Sequence, residues 1–297
     1  MTGFSDAEAS FTVGITKSKT HKIGWSVTPR FVIDLHIREL PTLNKLKLFF
    51  GLGNIFFSKD RDTASFVIQN PKDIYKIILP HFYNFPLLTQ KKWDFIFFKY
   101  IIELMINAEH LTLEGFNKIL SIRASLNLGL SDKLKAEFPT IVAMERPISS
   151  LPLELEIKDY NPYWLAGFSE GDGSFFVGLT KSALYKAGYQ VSLRFLISQH
   201  NRDISLMENI AKYLNCGKVV VRKGRDQDVE FRVNSISDIE SIIVPFFTKY
   251  TLQGTKKLDF YDFSKVVDAV KNKKHLTPEG VEYIKQIKNG MNSSREV

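Results

Sequence analysis

The pattern of apolar and polar positions along this chain predicts the same series of elements twice. In the first series, alternating positions predict strands and a 3.6-residue period predicts the helix between them. These elements are strand, strand, helix, strand and strand, at residues 11–16, 25–33, 41–52, 54–58 and 64–69. Amphipathic helices over 71–80 and 91–107 close the series. Each half therefore predicts an α+β unit whose antiparallel strands pack one face on helices.

The second series matches the first residue by residue. Gly3-Phe4-Ser5 aligns with Gly167-Phe168-Ser169, an offset of 164 (167 − 3). After a one-residue insertion the offset is 165 (275 − 110), and His110-Leu111-Thr112 aligns with His275-Leu276-Thr277. A register held over this length indicates a duplicated domain.

The repeat also predicts the domain boundaries. We expect an N-terminal repeat at 1–127, a linker at 128–160 and a C-terminal repeat at 161–297. The linker has no counterpart in the repeat, and Pro147 and Pro152 interrupt it. One short helix is predicted within it, near 130–136.

Composition limits the possible classes of protein. The chain has 297 residues, of which 44% are hydrophobic, so it can bury the cores of two domains. No apolar run approaches the roughly 20 residues of a membrane-spanning helix, and the N-terminus lacks a secretory signal pattern. The single cysteine, Cys216, excludes an internal disulfide framework and a Cys-based zinc cluster. We therefore expect a reducing compartment and no membrane partner.

The formal net charge of +8 favours an anionic partner, nucleic acid before membrane. A merely basic soluble protein is the alternative, but a solvated strand face would carry more acids than the predicted hairpins do. Arg, Lys, Gln, Ser and Thr bond phosphates and base edges, and a two-stranded ribbon fits the major groove. The candidate DNA-binding residues, all in or beside the predicted hairpins, are Lys17, Lys19, Ser26, Thr28, Arg30, Asp34, Arg38, Lys181, Lys186, Gln190, Ser192, Arg194, Ser198, Arg222, Lys223, Arg225 and Arg232.

Residues 1–11 and 165–175 are near-copies that each predict a short helix with small residues on one face. If these faces pack together, Glu8 and Asp172 arrive at the same end of a close helix pair. Two carboxylates there form a candidate site for divalent metal ions.

A second acidic residue precedes each of these carboxylates by two positions. Asp6 and Glu170 therefore point well away from Glu8 and Asp172 on their helices. We expect structural roles for Asp6 and Glu170.

These paired motifs resemble those of the LAGLIDADG homing endonucleases, in the single-chain form with two motifs. The resemblance covers nearly the whole chain, including His-Leu-Thr-x-Glu-Gly after the long helix of each half. It is strongest to the group encoded in introns of fungal mitochondrial genomes, which implies a mitochondrial location. It implies two pseudo-symmetric αββαββα repeats, with motif helices at their interface and antiparallel sheets that form a saddle on duplex DNA. It also implies a monomer that hydrolyses one phosphodiester in each strand of a long, asymmetric site.

The resemblance further implies which residues hold metal. Glu8 and Asp172 correspond to the metal-binding carboxylates, and the backbone carbonyls of Ala7 and Gly171 are candidate additional ligands. Magnesium is the expected ion, with calcium or manganese as substitutes.

Three more residues are candidates for catalysis by the same resemblance. Gln199 matches a position that orients water near the metals in some relatives, whereas its counterpart in the first repeat is Leu35. Lys91 and Lys256 are candidate basic residues near the phosphate.

Ala9 departs from the motif, because the second copy has Gly173 at that position. If the backbone there needs a positive φ, alanine costs on the order of 1 kcal/mol. His110 and His275 occupy equivalent positions before a predicted N-cap threonine, and we expect structural roles for both.

Two alternative functions stay open at this point. One is an RNA-splicing maturase that keeps the fold and has intron RNA as its partner. The other is a DNA-binding module that Ala9 has made unable to cleave.

Overall fold

The structure, a computed structural model, describes residues 1–146, 161–292 and 295. It divides into two compact units: Thr2 with Phe4–Leu153, and Met1 and Gly3 with Glu154–Val297. Residues 147–160 of the predicted linker lie outside the described residues. Within the described part of the chain, every helix is too short or too polar to cross a membrane.

The first unit begins with a helix that runs directly into a strand. We call this helix, Thr2–Glu8, the first motif helix. The strands are β1 (Ala9–Lys17), β2 (Trp25–His36), β3 (Asn54–Ser58) and β4 (Thr63–Ile68). The other helical segments are Ile37–Glu39, Leu40–Phe50, Pro71–Asp73, Ile74–Ile78, Leu79–Asn84, Lys91–Ile106, Glu109–Leu111, Leu113–Ser125 and Asp132–Glu137.

The second unit repeats this order. The second motif helix is Pro162–Asp172. The strands are β5 (Gly173–Lys181), β6 (Tyr189–His200), β7 (Lys218–Arg222) and β8 (Arg225–Val233). The remaining helical segments are Asn201–Asp203, Ile204–Leu214, Ile236–Asp238, Ile239–Ile243, Val244–Lys249, Lys256–Lys271, Lys274–Leu276 and Pro278–Asn289.

Each unit has one four-stranded antiparallel sheet, in the orders β1-β2-β4-β3 and β5-β6-β8-β7. Phe11 pairs with Phe31 across β1 and β2, and Phe175 pairs with Phe195 across β5 and β6. All four rings are fully buried, and burial of each such side chain stabilises the fold by roughly 1.5–3 kcal/mol. The predicted α+β fold of two repeats, with strands buried on one face, is confirmed.

The helix predicted at 71–80 differs from a regular α-helix. Its middle segment, Ile74–Ile78, has π-helical bonding, and Leu79 N–H donates to Ile74 O five residues back. Pro80 follows and has no N–H to continue an α-helical ladder, so the wider turn accommodates it. The second unit repeats this feature at Ile239–Ile243, just before Pro245.

Candidate active site and nucleic-acid interface

The two candidate metal carboxylates occupy the same position in their units. Glu8 is the last residue of the first motif helix, and Asp172 is the last residue of the second. Both are half-buried, and a strand begins at the next residue. A carboxylate at a helix C-terminus adds to the partial negative charge there, so a nearby cation stabilises it.

A lysine supplies that cation in each unit. Lys91 Nζ donates to Ala7 O at 3.0 Å and to Ser5 O at 3.2 Å. Lys256 Nζ donates to Gly171 O at 2.6 Å and to Ser169 O at 3.3 Å. Both lysines are the first residue of a long helix, which fixes where the ammonium group can reach.

The acidic residues two positions earlier bond to the fold. The Asp6 carboxylate is 2% exposed and accepts from Leu88 N at 2.9 Å, Thr89 N at 3.2 Å and Thr89 Oγ1 at 2.7 Å. Glu170 is half-buried and accepts from Gln253 N at 2.7 Å. These bonds give Asp6 and Glu170 structural roles, as their helical positions predicted.

Gln199 lies in β6, and its side-chain amide donates to the Asp172 carboxylate. The same position of the first sheet holds Leu35, whose side chain has no polar atom. Leu35 pairs with Ala64, and Gln199 pairs with Val229, so the two occupy equivalent registers. The expectation that this contact is one-sided agrees with these positions.

The donor groups at both helix ends suit a hard divalent cation. Each unit offers one carboxylate and one backbone carbonyl, all oxygen donors of the kind that Mg²⁺ and Ca²⁺ prefer. Ala7 O and Gly171 O each have a second lone pair besides the one that accepts from lysine. Among the described residues there is no cluster of three or more His, Cys, Asp or Glu side chains that could enclose a metal alone. This donor set fits an ion that also needs phosphate and water oxygens.

The positive φ that would strain the backbone at Ala9 is not found. Gly173, its counterpart, has φ −80° and ψ 155°, which is ordinary extended backbone. Ala9 does not have a positive φ either. What excludes a side chain at Gly173 is space, because an added Cβ would lie 2.5 Å from Ser169 O.

The His-Leu-Thr-x-Glu-Gly segments form helix starts. Thr112 Oγ1 accepts from Gly115 N at 3.0 Å, which caps the helix Leu113–Ser125. An added Cβ at Gly115 would lie 2.2 Å from Glu109 O, so only glycine fits. Burial lowers the pKa of His110, as it lowers that of its counterpart His275. These features agree with the structural roles that we expected for both histidines.

The open faces of the two sheets carry the polar residues that the alternation predicted. In β2, Val27, Phe31 and Ile33 are buried, while Arg30 and Asp34 are exposed. The remaining candidates on these faces are half-buried or exposed: Ser26, Thr28, Gln190, Ser192, Arg194 and Ser198. Among the candidates outside β2 and β6, Lys19, Lys181, Lys186 and Lys223 are exposed and Arg38 is half-buried.

Acidic partners near some of these cations were missed by sequence reasoning. Lys17 pairs with Glu137, and Arg225 Nη1 lies 3.8 Å from Asp228 Oδ2. Arg222 and Arg232 both pair with Glu230. The alternation of Asp228, Glu230 and Arg232 along β8 could have predicted that these side chains share one face.

Comparison with known proteins gives one family. The LAGLIDADG endonuclease family model matches residues 1–102 and 165–267, one match in each repeat. Two relatives from Neurospora crassa, probable intron-encoded endonucleases 2 and 3, are 40% and 39% identical over 98% and 95% of this chain. The chain spans 64% and 52% of the lengths of these two relatives.

Solved structures agree over nearly the full length. The I-SmaMI LAGLIDADG homing endonuclease bound to cleaved DNA is 42% identical, with a TM-score of 0.94 over 99% of this chain and 96% of that one. I-SmaMI bound to an uncleaved DNA target in the presence of calcium ions has a TM-score of 0.91 at 43% identity, over 98% of this chain and 97% of that one.

Proposed function

Because this chain belongs to the LAGLIDADG endonuclease family, we propose that it is a sequence-specific endonuclease that cuts both strands of duplex DNA. The observation that carries the proposal is the repeated helix end. In each unit, a carboxylate ends the motif helix beside a carbonyl that accepts from a lysine. The same unit has a sheet whose open face is polar, with lysines and arginines in its strands or at their ends.

LAGLIDADG endonucleases depend on divalent metal ions, and magnesium is the ion proposed for this chain. Glu8 and Asp172 would hold it, with Ala7 O and Gly171 O as further ligands. A bound divalent ion lowers the pKa of water and stabilises negative charge on phosphate oxygens. Gln199 holds the Asp172 carboxylate in one orientation by its hydrogen bond. Lys91 and Lys256 place positive charge beside the same helix ends, where it would attract the scissile phosphates.

The side chains on the open faces of the two sheets would recognise the DNA target. Lysines at the strand ends would neutralise phosphates, which gives affinity without sequence preference. Ser26, Thr28, Arg30 and their counterparts in β6 would meet base edges in the major groove. Since Thr28 corresponds to Ser192 (192 − 28 = 164), the two half-sites need not be alike. The target is therefore a long asymmetric duplex, bound by one copy of the chain.

The origin of the relatives supports a location. Both Neurospora crassa proteins are named as intron-encoded endonucleases. We propose that this chain has the same kind of origin and acts in mitochondria, on DNA that lacks the intron.

The test is cleavage of a randomised duplex library by the purified protein with Mg²⁺ and, separately, with a chelator. We expect cuts at one family of related sequences that require the metal. Glu8→Gln and Asp172→Asn should each lower the rate by about 10³-fold or more, because each removes a metal-binding charge. Glu114→Gln, an exposed carboxylate on another helix, is the matched control and should cut normally.

Binding of the selected duplex should survive in both carboxylate variants, since neither residue lies on the open face of a sheet. Absence of metal-dependent cutting at every sequence would overturn the proposal. Tight binding to a structured intron RNA in the presence of excess duplex DNA would instead favour the maturase alternative.

A further inference from the structure

The two sheets differ most in their outer hairpins. The first outer hairpin is β3 with β4, and the second is β7 with β8. On the open face of the first, Asn54 pairs with Val67 and Phe56 pairs with Ser65, and all four side chains are uncharged. The corresponding pairs of the second are Lys218 with Arg232 and Val220 with Glu230.

The strand register places the side chains of these β7–β8 pairs on the face of the sheet that is proposed to contact DNA. Leu196 pairs with Arg232 and Ser198 pairs with Glu230 across β6 and β8. The alternate residues of β8, Val229 and Phe231, point to the opposite face of the sheet and are fully buried. Glu230 and Arg232 therefore share the open face with Ser198 and Arg194.

Glu230 ties two arginines together. Its carboxylate is 5% exposed, accepts from Arg232 Nη2, and lies 3.7 Å from Arg222 Nε. Removal of a carboxylate from water is costly unless cations and hydrogen bonds compensate it. The two guanidinium groups provide this compensation and are themselves held in place by it.

Arg232 and Arg222 both have N–H donors that Glu230 does not use and that a ligand can accept from. A guanidinium has five N–H donors, and the side chains of Arg232 and Arg222 are 28% and 47% exposed. The Nε atom of Arg232 is buried, so the donors left for a ligand are the remaining N–H groups of its two terminal nitrogens. Arginine binds the O6 and N7 atoms of guanine through two parallel bonds, the commonest specific contact in the major groove.

We propose that Glu230 is a positioning residue that holds Arg232 and Arg222 to bind guanine in the half-site of the second repeat. The inference rests on the proposed function and adds a base identity to it. An arginine that is already oriented loses less side-chain entropy when it binds a base. The first outer hairpin has no cation on the equivalent open face, so it provides no such contact. The exposed ring of Phe56 there suits the methyl group of thymine instead.

A phosphate clamp is the competing explanation for two arginines on this face. Loss of a phosphate contact weakens binding to all sequences equally. Each lost contact also lowers the slope of log affinity against log salt concentration by about one. Base contacts lower the preference at one position and leave the salt slope unchanged. The two explanations therefore differ in both measurements.

The experiment is selection of bound duplexes from a randomised library by the full chain, repeated for variants at several salt concentrations. The wild type should select guanine at one or two positions of one half-site. Arg232→Ala should lower that preference by about 5- to 150-fold, with an unchanged salt slope. Arg232→Lys keeps a cation beside Glu230 but lacks the planar fork, so it should also lose preference while the fold stays intact.

Glu230→Gln should weaken the same guanine preference without a change at other positions, and a melting temperature should be measured alongside. A lower melting temperature with an unchanged base preference would show that Glu230 is only structural and would overturn its positioning role. Lys223→Ala, in the β7–β8 turn, is the comparison for a phosphate contact.

Two outcomes separate this inference from the proposed function. If the wild type selects a sequence but Arg232→Ala binds all sequences equally less well, the guanine assignment is wrong and the endonuclease proposal stands. If the wild type selects no sequence at all, the proposed function fails and the guanine assignment fails with it.

Discussion

The two repeats have the same arrangement at the end of the motif helix but differ in other residues of the site. Both end the helix with a carboxylate, and both place a lysine ammonium on the carbonyl before it. At two equivalent positions the residues differ: the first repeat has Leu35 and Ala9, and the second has Gln199 and Gly173. The duplicated part is therefore the geometry of the helix end. The residues at the Leu35/Gln199 and Ala9/Gly173 positions differ between the units, so exchanging them between repeats tests what each one contributes.

Among exchanges between the repeats, the largest effect is expected at the carboxylate contact of the second repeat. Gln199→Leu introduces the residue type of the first repeat and removes the amide that donates to Asp172, and loss of such a supporting contact typically costs about 10- to 100-fold in metal affinity or activity. We expect slower cutting of one DNA strand only, measured on a duplex with a different label on each strand. Leu35→Gln is the reciprocal variant. Equal slowing of both strands by Gln199→Leu would contradict a one-sided role.

Asp6, the buried carboxylate of the first motif helix, should contribute more to the free energy of unfolding than its counterpart Glu170. Asp6→Asn weakens bonds to two backbone N–H groups and one hydroxyl in a buried site, so we expect a loss of about 2 to 3 kcal/mol in the free energy of unfolding. Glu170→Gln, which is half-buried, should cost about 1 kcal/mol or less. Urea titration of both variants measures the difference. Equal losses would show that burial does not separate the two residues.

The exchange of Ala9 and Gly173 tests the backbone directly. Ala9→Gly should destabilise by about 1 kcal/mol, since the position is buried and extended and glycine gains freedom in the unfolded chain. Gly173→Ala should also destabilise, by about 1 kcal/mol or somewhat more, because the new methyl group meets Ser169 O. Thermal or urea unfolding measures both changes. A more stable Ala9→Gly variant would mean that Ala9 is strained after all.

The smallest effect concerns pH. Burial lowers the pKa of His81 to about 4, and His81 contacts Thr2 through Nε2 at 3.2 Å. The unfolded chain takes up a proton near pH 6.5, whereas the folded chain resists it until about pH 4. His81 therefore makes the fold less stable as pH falls from about 6.5 to 4.

The counterpart of His81 in the second repeat, Phe246 (246 − 81 = 165), does not titrate. His81→Phe should remove part of this acid sensitivity, by less than about 1 kcal/mol at pH 5 after allowance for solvent screening. Urea unfolding at pH 7 and at pH 5 measures it. The same loss of stability between these pH values in the variant would show that other groups cause it.

Much of each unit could be predicted from local pattern. Alternation gave the strands and their buried faces, because side chains of a strand point to opposite sides by geometry alone. The separation of Asp6 from Glu8 followed from helical spacing in the same way. Thr112 and Thr277 were predicted as N-caps, and both accept the expected backbone bond.

Contacts that depend on exact atomic positions could not be predicted. The condition under which Ala9 would be strained, a positive φ, is not met, and the restriction at Gly173 comes from one carbonyl oxygen, Ser169 O, instead of the backbone angle. The Glu230 network depends on how β7 and β8 align, which composition does not specify. The packing of the two motif helices and the roles of Glu8, Asp172, Lys91 and Lys256 in catalysis stay predictions.

The lysine at each helix end has a consequence for how such a protein behaves in a cell. Lys91 and Lys256 already place positive charge at the negative ends of the motif helices, so the chain can fold and persist when divalent ions are scarce. Under the proposed function, folding would then not protect the host genome, since the folded protein would cut whenever its metal ion is present. Protection would depend on the base selectivity of the sheets, and a substitution that loosens base recognition would harm the host more than one that weakens the fold.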